Sequence, residues 1–108
     1  MERMTNLNQI KETIQKKPLT LLLVKTSNCG VCESVQFKMI ELLKSHSHVK
    51  GIYVFNNDVP EITSEYMIFS APTLILFIAG KEMYRVSRFV LFDELERLLQ
   101  LYEEKWIT

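Results

Sequence analysis

At 108 residues, 47% apolar and 10% aromatic, the chain can bury a sizeable core without staples and reads as a single domain spanning 1–108. Thirteen basic and thirteen acidic residues cancel, which leaves no electrostatic footprint for nucleic acid or an anionic membrane. No apolar run approaches the ~20 residues of a membrane span, and Met1 to Asn6 show neither an apolar leader nor a cleavage site, so a cytoplasmic, reducing location is expected.

The first periodic stretch is Leu7 to Lys17. Its apolar residues Leu7, Ile10 and Ile14 are spaced three and four apart, as on one face of a helix. Thr5 or Asn6 can cap it and Pro18 stops it. Leu19 to Val24 is apolar on both faces apart from Thr20, the pattern of a central parallel strand. Thr26-Ser27-Asn28 is a polar turn. From about Gly30 to Ser45 a helix places Val31, Val35, Met39 and Leu42 on one stripe, with Ile40 and Leu43 beside it and Phe37 off it, partly exposed. His46 and His48 follow as cations suited to the helix C-terminus.

Ile52-Tyr53-Val54-Phe55 reads as a second buried strand. Asp58, Pro60 and Glu61 look like a cap, an early-turn proline and a capping-box glutamate, opening a short helix that runs to about Tyr66. Met67 to Ala71 is a loop leading into Pro72. Thr73 to Phe77 is a third strand, and a turn at Ala79-Gly80-Lys81 returns the chain as Glu82 to Ser87, which alternates polar with apolar. The last helix, about Phe92 to Lys105, has Leu91, Leu95, Leu98, Leu99 and Tyr102 on its apolar face, and Trp106 is expected to pack its end onto the sheet. Right-handed crossovers make the first two strands parallel and the hairpin adds two more. The expected fold class is α/β, a four-stranded mixed sheet with helices on both faces.

The chemistry concentrates at Cys29-Gly30-Val31-Cys32, which holds the only two cysteines. A strand that ends in a turn carrying Cys-x-x-Cys and opens into a helix is the setting of redox chemistry. Disulfide exchange needs a thiolate, and the first helical turn favours one through unpaired N–H groups and the macrodipole. The closest cation in sequence is Lys25, so the helix terminus carries most of that task. Cys29 is then the exposed attacking sulfur and Cys32, one turn on, the resolving one. Two other readings compete. Zinc needs four ligands, and the remaining soft candidates, His46 and His48, lie roughly 20 Å away beyond the helix, so no metal is expected. A structural disulfide closing so short a loop contributes little.

The element order with Cys-x-x-Cys at this position resembles the thioredoxin family over nearly the whole chain. Ala71-Pro72-Thr73 is similar to that family's Ile-Pro-Thr, and Leu76-Phe77-Ile78-Ala79-Gly80-Lys81 to its Leu-Phe-x-x-Gly turn. The resemblance implies a three-layer fold, a cis bond before Pro72, and thiol–disulfide exchange with protein substrates and no cofactor. A reductase or low-molecular-weight thiol would regenerate the pair. It places Gly30, Val31, Ala71, Pro72 and Arg88 on the substrate side, Ala71 presenting backbone groups to an extended peptide. Departures stand out. Asn28 and Val31 replace the motif's tryptophan and proline, Leu23 and Val54 replace a buried aspartate and its lysine, and Arg88 falls at or near a glycine. The strand many members carry before the first helix is not evident. Without the carboxylate the second exchange is expected to be slow, and a thioredoxin-like binding module with weak or no turnover is the alternative.

Overall fold

The computed structural model describes the backbone of residues 1–107 and the side chains of residues 1–105, so the packing expected of Trp106 lies outside the described side chains. In chain order the elements are β1 (Glu2–Arg3), α1 (Leu7–Lys16), β2 (Leu19–Lys25), α2 (Gly30–Leu43), β3 (Lys50–Phe55), α3 (Ile62–Glu65), β4 (Thr73–Ile78), β5 (Lys81–Ser87) and α4 (Phe92–Ile107). The sheet order is β1-β3-β2-β4-β5. β2 and β3 are parallel, with Leu22 beside Ile52, while β4 runs antiparallel to both β2 and β5.

Side-chain parity builds the layers, because successive residues of a strand point to opposite faces. Leu22, Val24, Ile52, Val54, Ile75 and Phe77 join Ile10, Ile14 and Ile62 under α1 and α3. Leu19, Leu21, Leu23, Leu74, Leu76 and Ile78 join Val35, Met39, Leu42, Leu95 and Leu99 under α2 and α4. The central strands β2 and β4 are buried along their whole length. Each fully buried leucine or isoleucine there contributes about 1.5–3 kcal/mol of transfer free energy.

The sheet has five strands rather than the expected four. β1 is two residues long, too short to show any periodicity, and pairs parallel to β3 with Glu2 beside Ile52 and Arg3 beside Tyr53. Neighbouring contacts anchor it. Met4 is buried and donates its N–H to Tyr53 O at 2.8 Å. Glu2 pairs with Lys50 at 2.8 Å and Arg3 with Asp58 at 2.7 Å. Asp58 therefore caps no helix; the N-cap of α3 is Glu61, whose side chain makes no cap hydrogen bond.

Other expectations are met or shifted. Asn6 caps α1, its Oδ1 accepting the Gln9 N–H at 2.9 Å. Asn6→Ala is expected to lower unfolding free energy by about 0.5–2 kcal/mol; a urea midpoint shift at unchanged slope is the measure, and an unmoved midpoint refutes it. Phe37 is exposed, as anticipated. Val31 and Leu91, assigned to apolar stripes, are exposed as well; Val31 lies in the first turn of α2 and Leu91 just before α4. His46 is buried, its Nδ1 paired with Glu103, and so fastens the end of α2 to α4 rather than standing as a free cation. In β5 the register shifts opposite Leu76 and Phe77, which pair with Tyr84 and Glu82 and leave Met83 bulged out and exposed.

Candidate active site

β2 delivers the chain to the site. Ser27 leaves the sheet held by Asn57 Oδ1, through its N–H at 3.2 Å and its hydroxyl at 3.0 Å. Asn28 then turns left-handed, φ 55°, a conformation that asparagine tolerates through its short polar side chain. That reversal seats Cys29 at the N-cap of α2 in extended backbone. Its Sγ accepts the Cys32 N–H at 3.1 Å and its carbonyl accepts the Glu33 N–H at 3.2 Å. An oxygen from Ser, Thr, Asp or Asn usually fills this role; here it is sulfur. Cys29 and Cys32 form a disulfide with Cα atoms 5.2 Å apart, Cys29 partly exposed and Cys32 fully buried. Once the bond is reduced, a thiolate at Cys29 faces the Cys32 N–H and the positive end of the helix.

Val24 pairs with Thr73 across β2 and β4, so the Ala71–Pro72 peptide reaches the end of the sheet that carries Cys29. That peptide is cis, as expected. Pro72 is buried and its carbonyl accepts the Arg88 N–H at 2.8 Å. The Thr73 hydroxyl donates to Ser70 O at 2.6 Å and lies 3.0 Å from Ser87 Oγ, tying both flanks of the proline together. Arg88 is exposed with φ 68°, a left-handed conformation costing roughly 1–2 kcal/mol for a residue other than glycine. Gly30 has open space where a Cβ would stand, and Val31 beside it is 53% exposed. All seven residues singled out in the sequence thus gather at one end of the sheet.

The approach loop is pinned from β5. Arg85 donates to Tyr66 O at 2.7 Å and Met67 O at 3.0 Å, and reaches both carboxylate oxygens of Glu82 at 2.8 Å. Hydrogen bonds from Arg85 hold the Glu82 carboxyl below its ordinary value against partial burial, and the guanidinium charge adds to them. Phe69 and Phe89, 87% and 81% exposed, flank the proline and Arg88. Sequence reading passed over both, because loop residues carry no periodic signal.

Lys25, named in the sequence as the cation closest to the motif, proves to be held inside the fold. In the structure it is 2% exposed, with Nζ 2.8 Å from Glu33 Oε1 and bonded to Gln36 Oε1. The ammonium lies 4.6 Å from the Phe55 ring centroid and 5.2 Å from that of Tyr53. Parity was the available signal: Leu19, Leu21, Leu23 and Lys25 alternate onto the face that α2 covers. Leu23 and Val54 are both fully buried, but on opposite faces of the sheet. Leu23 lies under α2 and α4 in register with Tyr53, and Val54 under α1 and α3, so Val54 does not occupy the expected place of a lysine partner to position 23.

No family model matches the sequence. Thioredoxin-like protein YdfQ of Bacillus subtilis (strain 168) is 31% identical over 110 residues, covering 95% of this chain and 98% of that protein. Plasmodium falciparum thioredoxin superposes with a TM-score of 0.84 at 20% identity, over 94% of this chain and 99% of its own. Mitochondrial thioredoxin 3 from Saccharomyces cerevisiae, in its oxidised form, gives a TM-score of 0.81 at 19% identity over 93% of each chain. At those identities the solved structures speak for the fold alone.

Proposed function

The chain belongs to the thioredoxin family, and from that premise we propose that it exchanges dithiol for disulfide with protein substrates through Cys29 and Cys32. One observation carries the reading. A partly exposed sulfur caps a helix and is bonded to a buried sulfur one turn on. The Cys29 thiolate attacks a substrate disulfide, forming a mixed disulfide and expelling one substrate sulfur as thiolate. The Cys32 thiolate then attacks Cys29 Sγ, closing the internal disulfide and releasing the second substrate sulfur. Two electrons and two protons pass to the substrate in all. A reductase or a low-molecular-weight thiol returns them, in a reducing compartment such as the cytoplasm. Gly30, Val31, Ala71, Pro72 and Arg88 form the surface that receives the substrate, with Ala71 offering backbone groups to an extended peptide.

The experiment is reduction of a disulfide-bonded protein with dithiothreitol as electron donor. Catalysis is expected to exceed dithiothreitol alone, to rise with pH as the thiols ionise, and to require both cysteines. Equal acceleration by the double Cys→Ser variant, or none by the native chain, overturns the reading. A second reading, a binding module with slow or no turnover, is favoured by one observation. Leu23, where the family carries its buried carboxylate, is buried and apolar on the α2 and α4 face of the sheet and cannot take a proton from Cys32. Partner capture that survives loss of both cysteines would support it.

A further inference from the structure

We propose that Lys25 is a positioning residue that stabilises the Cys29 thiolate from beneath the flank of α2, with Glu33 as its counter-charge; this rests on the redox reading above. Cys29, Glu33 and Gln36 stand at positions i, i+4 and i+7, so they share one flank of the helix. The Glu33 N–H bonding to Cys29 O confirms the helical register across that turn. Lys25 Nζ bonds side-chain oxygens of both Glu33 and Gln36. Its ammonium therefore runs along the flank that leads up to Cys29, within on the order of 10 Å of the sulfur. That is comparable to one Debye length, and the intervening material is protein rather than water, which screens less.

Packing alone gives no reason for a charge here. The position continues the run Leu19, Leu21, Leu23 on the same sheet face, and an apolar residue would extend it. Replacing a buried ion pair with well-packed apolar groups is often neutral or stabilising. The site nonetheless holds an ammonium between helix and sheet, against the rings of Tyr53 and Phe55. The charged and titratable groups around it are few. Glu33 faces it from α2 and Tyr53 from β3. Arg3, from β1, lies 4.7 Å from the same Phe55 ring and is paired with Asp58. The Arg3–Asp58 pair is locally neutral. The Glu33 side chain is 63% exposed against 3% for Lys25, so water damps the field of the carboxylate more than that of the ammonium. The residual field at Cys29 is positive. It favours the thiolate, and with it the reduced form of the pair.

The test is the pH midpoint of Cys29 alkylation in the reduced protein, with the modified site identified by mass spectrometry, alongside the equilibrium of the pair with glutathione. Lys25→Met is expected to raise the midpoint by about half to one unit. It should also shift the glutathione equilibrium toward the protein disulfide by about three- to tenfold, where tenfold corresponds to about 30 mV. Lys25→Arg should stay near the native values. Glu33→Gln should lower the midpoint, opposite in sign to Lys25→Met. A purely structural role predicts shifts of the same sign from both, since each would loosen the helix start equally. That result, or an unmoved midpoint in Lys25→Met, overturns the proposal. Should Lys25→Met not fold, Lys25→Gln replaces it in the same comparison. The midpoint reads the thiolate and not turnover, so a failed shift is distinguishable from a failed dithiothreitol assay, which would instead overturn the redox reading.

Discussion

Cys32→Ser is expected to accumulate a covalent mixed disulfide with protein substrates, whereas Cys29→Ser is expected to lose the reaction altogether. The asymmetry follows from burial and capping. Cys29 is the partly exposed sulfur at the N-cap, and its Sγ already accepts a backbone N–H. Cys32 is fully buried, so it meets no substrate and acts only on a disulfide formed at Cys29. Removing the second sulfur therefore halts the reaction at its midpoint, and removing the first prevents it from starting. Non-reducing electrophoresis with mass spectrometry of the adduct measures both. An adduct formed by Cys29→Ser in place of Cys32→Ser would reverse the two roles.

Leu23→Asp is expected to destabilise the fold by roughly 2–4 kcal/mol. Leu23 is fully buried at the centre of the cluster under α2 and α4, in register with Tyr53 on one side and Leu74 on the other. A carboxyl there is desolvated, so its pKa in the folded state rises above the ordinary value near 3.9. The sign follows from proton linkage. Between the unfolded and folded pKa values the folded state binds more protons, so stability falls as pH rises through that window. The variant should thus be least impaired in mild acid and most impaired at neutral pH and above. Denaturant midpoints at both ends of the range provide the measurement. If the midpoint does not move, position 23 tolerates a charge that its burial forbids. The same carboxyl would stand where the family places its proton acceptor, so any variant that still folds should resolve the mixed disulfide faster.

Much of this was legible in the sequence because periodicity reports burial. Ile10 and Ile14 on α1, the continuous run of β2, and Leu95 and Leu99 on α4 are buried as their spacing requires. The Cys-x-x-Cys motif was legible for another reason: strand, polar turn and helix start follow one another within a dozen residues. What escaped was set by tertiary contact. β1 exists because β3 offers a free edge and Met4 an anchor, and neither can be read from two residues. Asp58 has the local grammar of a helix cap, yet Arg3, 55 positions away, takes it. His46 finds Glu103 across the helix pair. Lys25 stood out in the sequence only as the cation closest to the motif; its burial follows from strand parity and from the Glu33 and Gln36 oxygens that meet it.

The bulge in β5 bears on how this sheet meets other proteins. An open sheet ends in two rows of unpaired backbone groups, each a template for edge-to-edge association and fibril growth. On one side the row belongs to β1 and is two residues long, too short to register a foreign strand. On the other it belongs to β5, where the register shift pushes Met83 out of line and Lys81, Glu82 and Arg85 place charge along the edge. A flat incoming strand would meet a kink and would have to desolvate those charges. Both margins of the sheet are thus guarded, one by brevity and the other by a kink and charge.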